Sequence, residues 1–211
     1  LDALVRPYLQ RFSPAMMVSH YYAQKVNKQA IPLFIDSGGF ASLFQGSRIQ
    51  YLDNGTYGIS TPEGTLINAE EVLKNQEKYA DIGATLDFII TSQTPENEAI
   101  ELQDKIIHNA KWALEHKKNK DLKLFASLQA WDQFSMQKIL DALLPLPFDG
   151  FALGGMVPRV QTPETIFELV HIFYKLENDR PLHIFGLGSP PLVKKLFELG
   201  VDSVDSSSFV R

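Results

Sequence analysis

Hydrophobic residues in this chain fall into short, nearly unbroken runs, separated by segments in which apolar positions recur every three or four residues. The runs AMMVS (15–19), PLFIDS (32–37), DFIIT (87–91), LKLFASL (122–128), GFALG (150–154), LHIFG (182–186) and DSVDS (202–206) read as strands. Most are continuous rather than alternating, which predicts a parallel sheet covered on both faces. The intervening segments carry helix start signals: Thr94-Pro95-Glu96, Thr162-Pro163-Glu164 and Ser189-Pro190 each set a hydroxyl before a proline at the first helical position. Behind them Ile166, Phe167, Val170 and Phe173, then Val193, Leu196 and Phe197, fall at helical spacing, with Gly200 as a stop signal. Residues 41–68 break this rhythm. There Gly46, Gly55, Gly58 and Gly64 punctuate the β-prone pieces RIQYL and YGIS, predicting a hairpin inserted after the second strand and before a helix beginning near Asn68.

Seven strands alternating with helices make this an α/β chain, either an open doubly wound sheet or a (β/α)8 TIM barrel, and the count favours the barrel. The seventh strand ends just before Arg211, so the eighth unit is not visible as a continuation of the pattern. The length of 211 residues predicts one domain over 1–211, and a first residue of Leu1 rather than Met points to a fragment, C-terminally incomplete in this reading.

With 45% hydrophobic residues the chain can fill a core, and disorder is excluded as a general description. With no cysteine, these residues hold no disulfide, thiol nucleophile, iron–sulfur cluster or thiolate zinc site, and a cytoplasmic setting is favoured. No apolar run approaches the roughly 18–20 residues that span a bilayer, so no membrane partner is expected. A net charge of −5 gives no general attraction for phosphate backbones; a nucleic-acid partner would need a local basic patch or further residues.

Candidate chemistry follows from where a parallel sheet builds its site, in the loops leaving the C-terminal strand ends. The polar residues there are Ser19 and His20, Asp36 and Ser37, the group Thr91-Ser92-Gln93, Gln129, Gly154 and Gly155, Gly186 and Gly188, and Asp205 with Ser206, Ser207 and Ser208. Asp36 can act as a general acid or base, or cap the turn that Gly38 and Gly39 begin. Asp205 can be a nucleophile or the cap of a following helix, while Asp202 sits at its strand's entry and is read as structural. Gln129 can read a base edge through both donor and acceptor, or satisfy buried backbone. The GLGSPP segment is a weak phosphate loop, because prolines remove donors. His108, His116 and Trp112 are read as helix-face and core residues, with no metal site.

Five segments in order, FIDSGGF (34–40), LFASLQ (124–129), FDGFALGGM (148–156), HIFGLGSP (183–190) and ELGVDSVDSSSFVR (198–211), resemble the tRNA-guanine transglycosylases, the queuine or archaeosine tRNA-ribosyltransferases. The GGMVP and DSSSF variants look more like the archaeal-type branch, or the branch that puts 7-deazaguanines into DNA, than the bacterial enzymes. The resemblance implies a (β/α)8 barrel that swaps guanine in nucleic acid for a 7-deazaguanine through a covalent ribosyl-aspartate. It assigns Asp205 as nucleophile and Asp36 as the aspartate that handles protons. Ser37, Gln129, Gly154, Gly155 and Met156 fall to the base pocket, with Phe185 and Gly186 as the wall beneath the base; Gln93, after the run 87–91, is a further substrate-binding candidate outside the family's pattern. No cofactor is implied in these residues; a structural zinc module would lie beyond Arg211.

Departures from the family pattern bear on base choice. An ungapped reading leaves Thr91 to Gln93 where the family has a second base-reading aspartate at the third strand's end, and puts Asp87 at that strand's entry. Ala41 replaces the usual glutamine after SGGF, and Val160 stands where bacterial enzymes have glutamate. These departures, with the acidic, cysteine-free chain, tilt the expected polymer toward DNA. The alternatives are a tRNA enzyme proper, a non-catalytic nucleic-acid-binding subunit of the same fold, and an unrelated barrel enzyme on a small phosphorylated substrate.

Overall fold

The computed structural model of the protein describes residues 11, 13–23, 30–177 and 179–206. Ser207 and Ser208, named above as strand-exit candidates, and the rest of the last motif through 211 lie outside the described residues. In chain order the elements are β1 (Met16–Ser19), α1 (His20–Ala23), β2 (Leu33–Asp36), a 3-10 helix (Gly39–Leu43), β3 (Arg48–Tyr51), β4 (Tyr57–Ser60), β5 (Leu66–Asn68) and α2 (Ala69–Tyr79). They continue with β6 (Ile82–Ala84), α3 (Glu96–His116), β7 (Lys123–Gln129), α4 (Gln133–Leu143), β8 (Gly150–Gly154), a second 3-10 helix (Val157–Arg159), α5 (Pro163–Leu176), β9 (Leu182–Ile184), α6 (Pro190–Glu198) and β10 (Ser203–Val204).

Seven strands pair in the order β1-β2-β6-β7-β8-β9-β10, and every pairing is parallel. The order never reverses, so the described sheet has no switch point of the doubly wound kind. The sheet is also strongly curled. Phe34 on β2 and His183 on β9 are four strand steps apart, about 19 Å in a flat sheet at roughly 4.8 Å per step. Their rings lie 4.9 Å apart. Only a sheet that bends round to face itself can do this, so the architecture is that of part of a (β/α)8 barrel.

The two faces of the sheet separate cleanly. Phe34, Ala84, Phe125 and Ala152 form an inner cluster with Met17, Ile82 and Phe185 packed on it. Leu124, Ala126, Leu128, Phe151, Leu153, Leu182 and Ile184 point the other way, into the core shared with the helices, where Ile106, Ile139, Leu140, Val170 and Phe173 meet them. Strand alternation then puts Asp36 on the inner face two residues after Phe34, Gln129 four after Phe125, Gly154 two after Ala152, and Asp205 two after Ser203.

Two sequence expectations change. Between β2 and α2 stands a three-stranded antiparallel sheet, β3-β4-β5, rather than a two-stranded hairpin. Asn109 of α3 holds its middle strand by accepting from Tyr57 N at 2.9 Å and donating to Tyr57 O at 3.0 Å. The third parallel strand is Ile82–Ala84, upstream of the apolar run 87–91 taken for it. The last backbone bond to β7 runs from Thr85 N to Phe125 O at 3.0 Å, and there side chains take over from the ladder: Ser127 N donates to Thr85 Oγ1 at 3.0 Å, and Ser127 Oγ donates to Thr85 O at 2.6 Å.

Helix starts are as expected in place but not in detail. Pro163 and Pro190 open α5 and α6, yet neither Thr162 nor Ser189 caps with its side chain, and Thr94 Oγ1 instead accepts from Thr91 N at 3.1 Å. Side-chain caps occur at Asn68 on α2 and at Asp132 on α4, where Asp132 and Ser135 form a reciprocal capping box. Among the described residues no helix is long and apolar enough to cross a membrane.

Candidate active site

Because all seven strands run parallel, their C-terminal ends lie at one end of the sheet, and Asp36, Gln129, Gly154 and Asp205 are delivered there together. Asp36 closes β2. Its Oδ1 accepts from Gly38 N at 2.8 Å and His20 N at 3.1 Å, and the Ser19 hydroxyl also bonds to it. Burial pushes its pKa up from 3.8 to about 6 against the pull of those hydrogen bonds, and the charge of Asp87 adds to the rise.

Asp87 is the residue that the sequence reading misplaced. It lies beyond the end of β6, at the exit rather than the entry, and is 3% exposed. Ser37 Oγ donates to its Oδ1 at 2.6 Å and Gln129 Nε2 to its Oδ2 at 2.7 Å, while burial raises its pKa. Asp87 is at the exit because the paired strand, Ile82–Ala84, lies upstream of the run 87–91, and a change of phase then turns its side chain inward. Ala84 faces the inner cluster, and in an unbroken strand a residue three positions later would face outward. The ladder stops at Ala84, and Leu86, Phe88 and Ile90 turn into the helix-side core, so Asp87 turns in. The interruption is held by Gln76 of α2, whose Nε2 donates to Ile35 O and Ala84 O at 3.0 and 2.8 Å.

Around this pair the other candidates have definite tasks. The Ser37 hydroxyl accepts from Gly39 N at 3.0 Å while donating to Asp87, so it braces the loop and the acid together. Gln129 spends one amide hydrogen on Asp87 and one lone pair on Ile90 N at 3.3 Å, keeping a hydrogen and a lone pair for another partner. Its backbone carbonyl is fixed by Gln103 Nε2 at 2.8 Å. Gly154 lies against both: a Cβ there would collide with Gln129 Nε2 and stand 3.2 Å from Asp87 Oδ2. Gly155 carries the next peptide, whose carbonyl accepts from the buried guanidinium of Arg159. The Met156 side chain is fully buried in the helix-side core, leaving its backbone as the part that can face a ligand. Gln93 is exposed in the turn after residue 91, and its described hydrogen bond is from its own N to Thr91 Oγ1 at 3.2 Å, so it is not brought into this cluster.

Across the mouth Asp205 follows β10. Its Oδ1 accepts from Gly186 N at 2.8 Å and lies 3.3 Å from His183 Nε2. Gly186 has φ +78°, a left-handed conformation that turns its amide toward the carboxylate and that a side chain would strain. Phe185, half-buried, sits with its ring 4.8 Å from that of His183 and 6.0 Å from that of Phe34. Asp202 is occupied elsewhere: its Oδ2 accepts from Leu182 N at 2.8 Å and lies 3.3 Å from the Tyr174 hydroxyl. Two polar side chains of this cluster, His183 and Arg159, are not among the sequence candidates, and Asp87 is named there at a strand entry. His183 has no distinct signal in the sequence, since a histidine within LHIFG reads equally as core, and its direction comes from the register with Ser203.

Among the described residues no three His, Asp or Glu side chains gather to hold a metal ion. The arrangement can instead hold one buried, proton-carrying carboxyl, one acid locked between a serine and an amide, and one oriented carboxylate.

A curled parallel sheet with three carboxylates at its strand exits defines a barrel protein with its polar machinery in the usual place for that fold. The chain belongs to the queuine tRNA-ribosyltransferase family, whose sequence pattern matches residues 10–211. The queuine tRNA-ribosyltransferase of Helicobacter pylori (strain HPAG1) is 30% identical over 179 residues, 81% of this chain and 47% of the relative. That of Helicobacter acinonychis (strain Sheeba) is also 30% identical with the same coverage, and that of Pseudoalteromonas translucida (strain TAC 125) is 27% identical over 183 residues, 82% of this chain and 48% of the relative. The chain thus spans about half the length of the curated relatives it matches.

Proposed function

We propose that this chain carries the site of a pentosyltransferase that exchanges guanine in nucleic acid for a 7-deazaguanine. One carboxylate oxygen of Asp205 attacks C1′ of the nucleoside as the C1′–N9 bond breaks, and the electron pair leaves with the guanine. Asp36 in its protonated form supplies the proton that neutralises the leaving base. The incoming 7-deazaguanine returns a proton to Asp36 as its nitrogen attacks C1′ and the Asp205 carboxylate is released, so the enzyme ends as it began. A carboxyl with a pKa of about 6 holds and gives up a proton near neutrality, as this shuttle needs. Asp87, the free hydrogen and lone pair of Gln129, and the Gly154–Met156 backbone face the purine as acceptors and donors, and Phe185 with Gly186 forms the floor. The family's second base-reading aspartate is thereby assigned to Asp87, and Gln93 is dropped from the pocket.

The observation that carries this reading is the delivery of Asp36, Asp87 and Asp205 to one end of a parallel, curled sheet. We read the fold as a (β/α)8 barrel in which an eighth unit closes β10 onto β1, and residues 1–211 as part of that one domain. For the polymer, the names of the relatives support tRNA. The expected lean toward DNA loses one of its grounds, because the third-strand acid is at the exit after all.

The test is a base-exchange assay on the purified protein with guanine-containing tRNA, duplex DNA and single-stranded DNA, each with labelled 7-deazaguanine. Incorporation into tRNA is the expected result, and incorporation into DNA alone would restore the other substrate. Asp205→Asn removes the nucleophilic oxygen anion and should abolish exchange and any trapped adduct, with Asp202→Asn far milder. Exchange by Asp205→Asn at near wild-type rate would overturn the mechanism.

A further inference from the structure

Asp205 does not stand alone at its strand exit. The register of the last two strands sets Ser203 of β10 beside His183 of β9, both on the inner face, with Asp205 one alternation further along. The His183 ring is 3% exposed and packs against two aromatic neighbours, 4.9 Å from the Phe34 ring and 4.8 Å from that of Phe185 at an interplanar angle of 69°. Its two nitrogens are both engaged, Nδ1 with Ser203 Oγ at 2.9 Å and Nε2 with Asp205 Oδ1 at 3.3 Å.

The chemistry of these partners fixes where the hydrogens are. An ionised carboxylate only accepts, so a bond between Nε2 and Asp205 requires the hydrogen on Nε2. In the neutral ring Nδ1 is then an acceptor, and Ser203, which can donate or accept, donates to it. Asp205 thus selects the Nε2–H tautomer, and Ser203, donating to Nδ1, holds the ring from its other nitrogen so that this hydrogen is aimed at the acid. Among the described residues both hydrogen bonds to Asp205 fall on the same oxygen: Oδ1 also takes the Gly186 amide at 2.8 Å.

We propose that His183, its Nδ1 held by Ser203 and its Nε2–H aimed at Asp205, is the positioning residue of the nucleophile: with Gly186 it grips Oδ1 and leaves Oδ2 as the oxygen that attacks C1′. The proposal rests on the base-exchange reading above. It adds to it a pair of residues and an atom. A carboxylate free to rotate offers either oxygen at a range of angles, whereas one held by two donors on one oxygen presents the other along a fixed line, which is the geometry that an in-line displacement uses. The proton on Nε2 stays on the histidine throughout, so no atom balance in the reaction changes.

Two independent readouts test this. In protein labelled with 15N at histidine, the His183 ring should show a single Nε2–H tautomer at neutral pH. Asp205→Asn, whose amide can donate as well as accept, should let the ring become a mixture, and Ser203→Ala should keep the Nε2–H tautomer while moving the Nδ1 resonance. An Nδ1–H ring, or a doubly protonated ring, in the wild type would overturn the proposal. In the exchange assay His183→Phe, which keeps an aromatic body against Phe34 and Phe185, should lower kcat by about 10–100-fold, the worth of a hydrogen bond to a charged group. KM for the nucleic acid should stay within about twofold, and His183→Gln, which can still donate, should recover much of kcat. Unchanged kcat in both His183→Phe and Ser203→Ala would show a merely structural histidine. If the wild type exchanges no base at all, the functional reading fails, and the resonance data alone decide whether Ser203 and His183 hold Asp205 as described.

Discussion

Asp36 is pulled in two directions by its surroundings. Three hydrogen bonds favour its charged form, burial and the neighbouring Asp87 disfavour it, and burial wins, leaving a pKa of about 6 in place of 3.8. A carboxyl held above its unfolded value binds its proton more tightly in the native state. The associated stability is therefore complete below pH 3.8, falls as the pH rises through 6, and is gone above it. Asp36→Asn abolishes that ionisation while keeping an oxygen for Gly38 and His20. Urea melts should find it more stable than wild type by about 1–3 kcal/mol at pH 8, with the gain vanishing near pH 4. A gain equal at both pH values would mean that ionisation of Asp36 is not its source. At this scale part of the candidate site was legible: Asp36 and Gln129 stand out because each is a polar residue ending an apolar run, whereas Asp205 follows a single valine in DSVDS. His183 did not stand out, since a histidine within LHIFG reads equally well as core, and only the register with Ser203 gives it a direction.

At the scale of elements, β6 shows why the sequence alone misplaced an acid. The run DFIIT has the composition of a buried strand and is buried, but in the helix-side core as a segment without a backbone ladder. The paired strand is the shorter Ile82–Ala84, whose Gly83 and Ala84 carry little β signal. Periodicity counts apolar positions and does not say which stretch is paired: pairing at 82–84 rather than 87–91 makes Asp87 an exit aspartate, and a one-residue slip in phase turns it inward. Thr85 and Ser127 hold the slip in place. Thr85→Val keeps the shape and removes the acceptor for the buried Ser127 amide, so it should cost about 1–3 kcal/mol in urea melts. It should also speed hydrogen exchange at Ser127 while amides of β9 keep their protection. Slow exchange at Ser127 in the variant would show that another acceptor has taken over and that the hydroxyl is not what replaces the ladder.

On the scale of the whole molecule, the number and order of the parallel strands follow from the alternation of runs and helices, but curvature does not, because it depends on which side chains meet across the interior. Phe34 supplies that meeting. It is 6% exposed and touches Phe125, His183 and Phe185, joining the second strand of the sheet to the sixth. Ala84 and Ala152 are the small neighbours that leave it room. Leu33, the preceding residue, is 1% exposed and packs outward with Met16, Ala23 and Ile35, so the two positions sample the two sides of one strand. Phe34→Ala should cost about 3–5 kcal/mol and Leu33→Ala about 2–5 kcal/mol, so stability alone does not separate them. The His183 ring does. Losing Phe34 frees one face of that ring and should broaden or shift its imidazole resonances and lower base exchange beyond what the lost stability explains, whereas Leu33→Ala, assayed well below its melting temperature, should leave both near wild type. Equal disturbance of His183 by the two variants would mean that the sheet holds its curl without Phe34, and that the alignment of Asp36 with Asp205 comes from the backbone rather than from the packed interior.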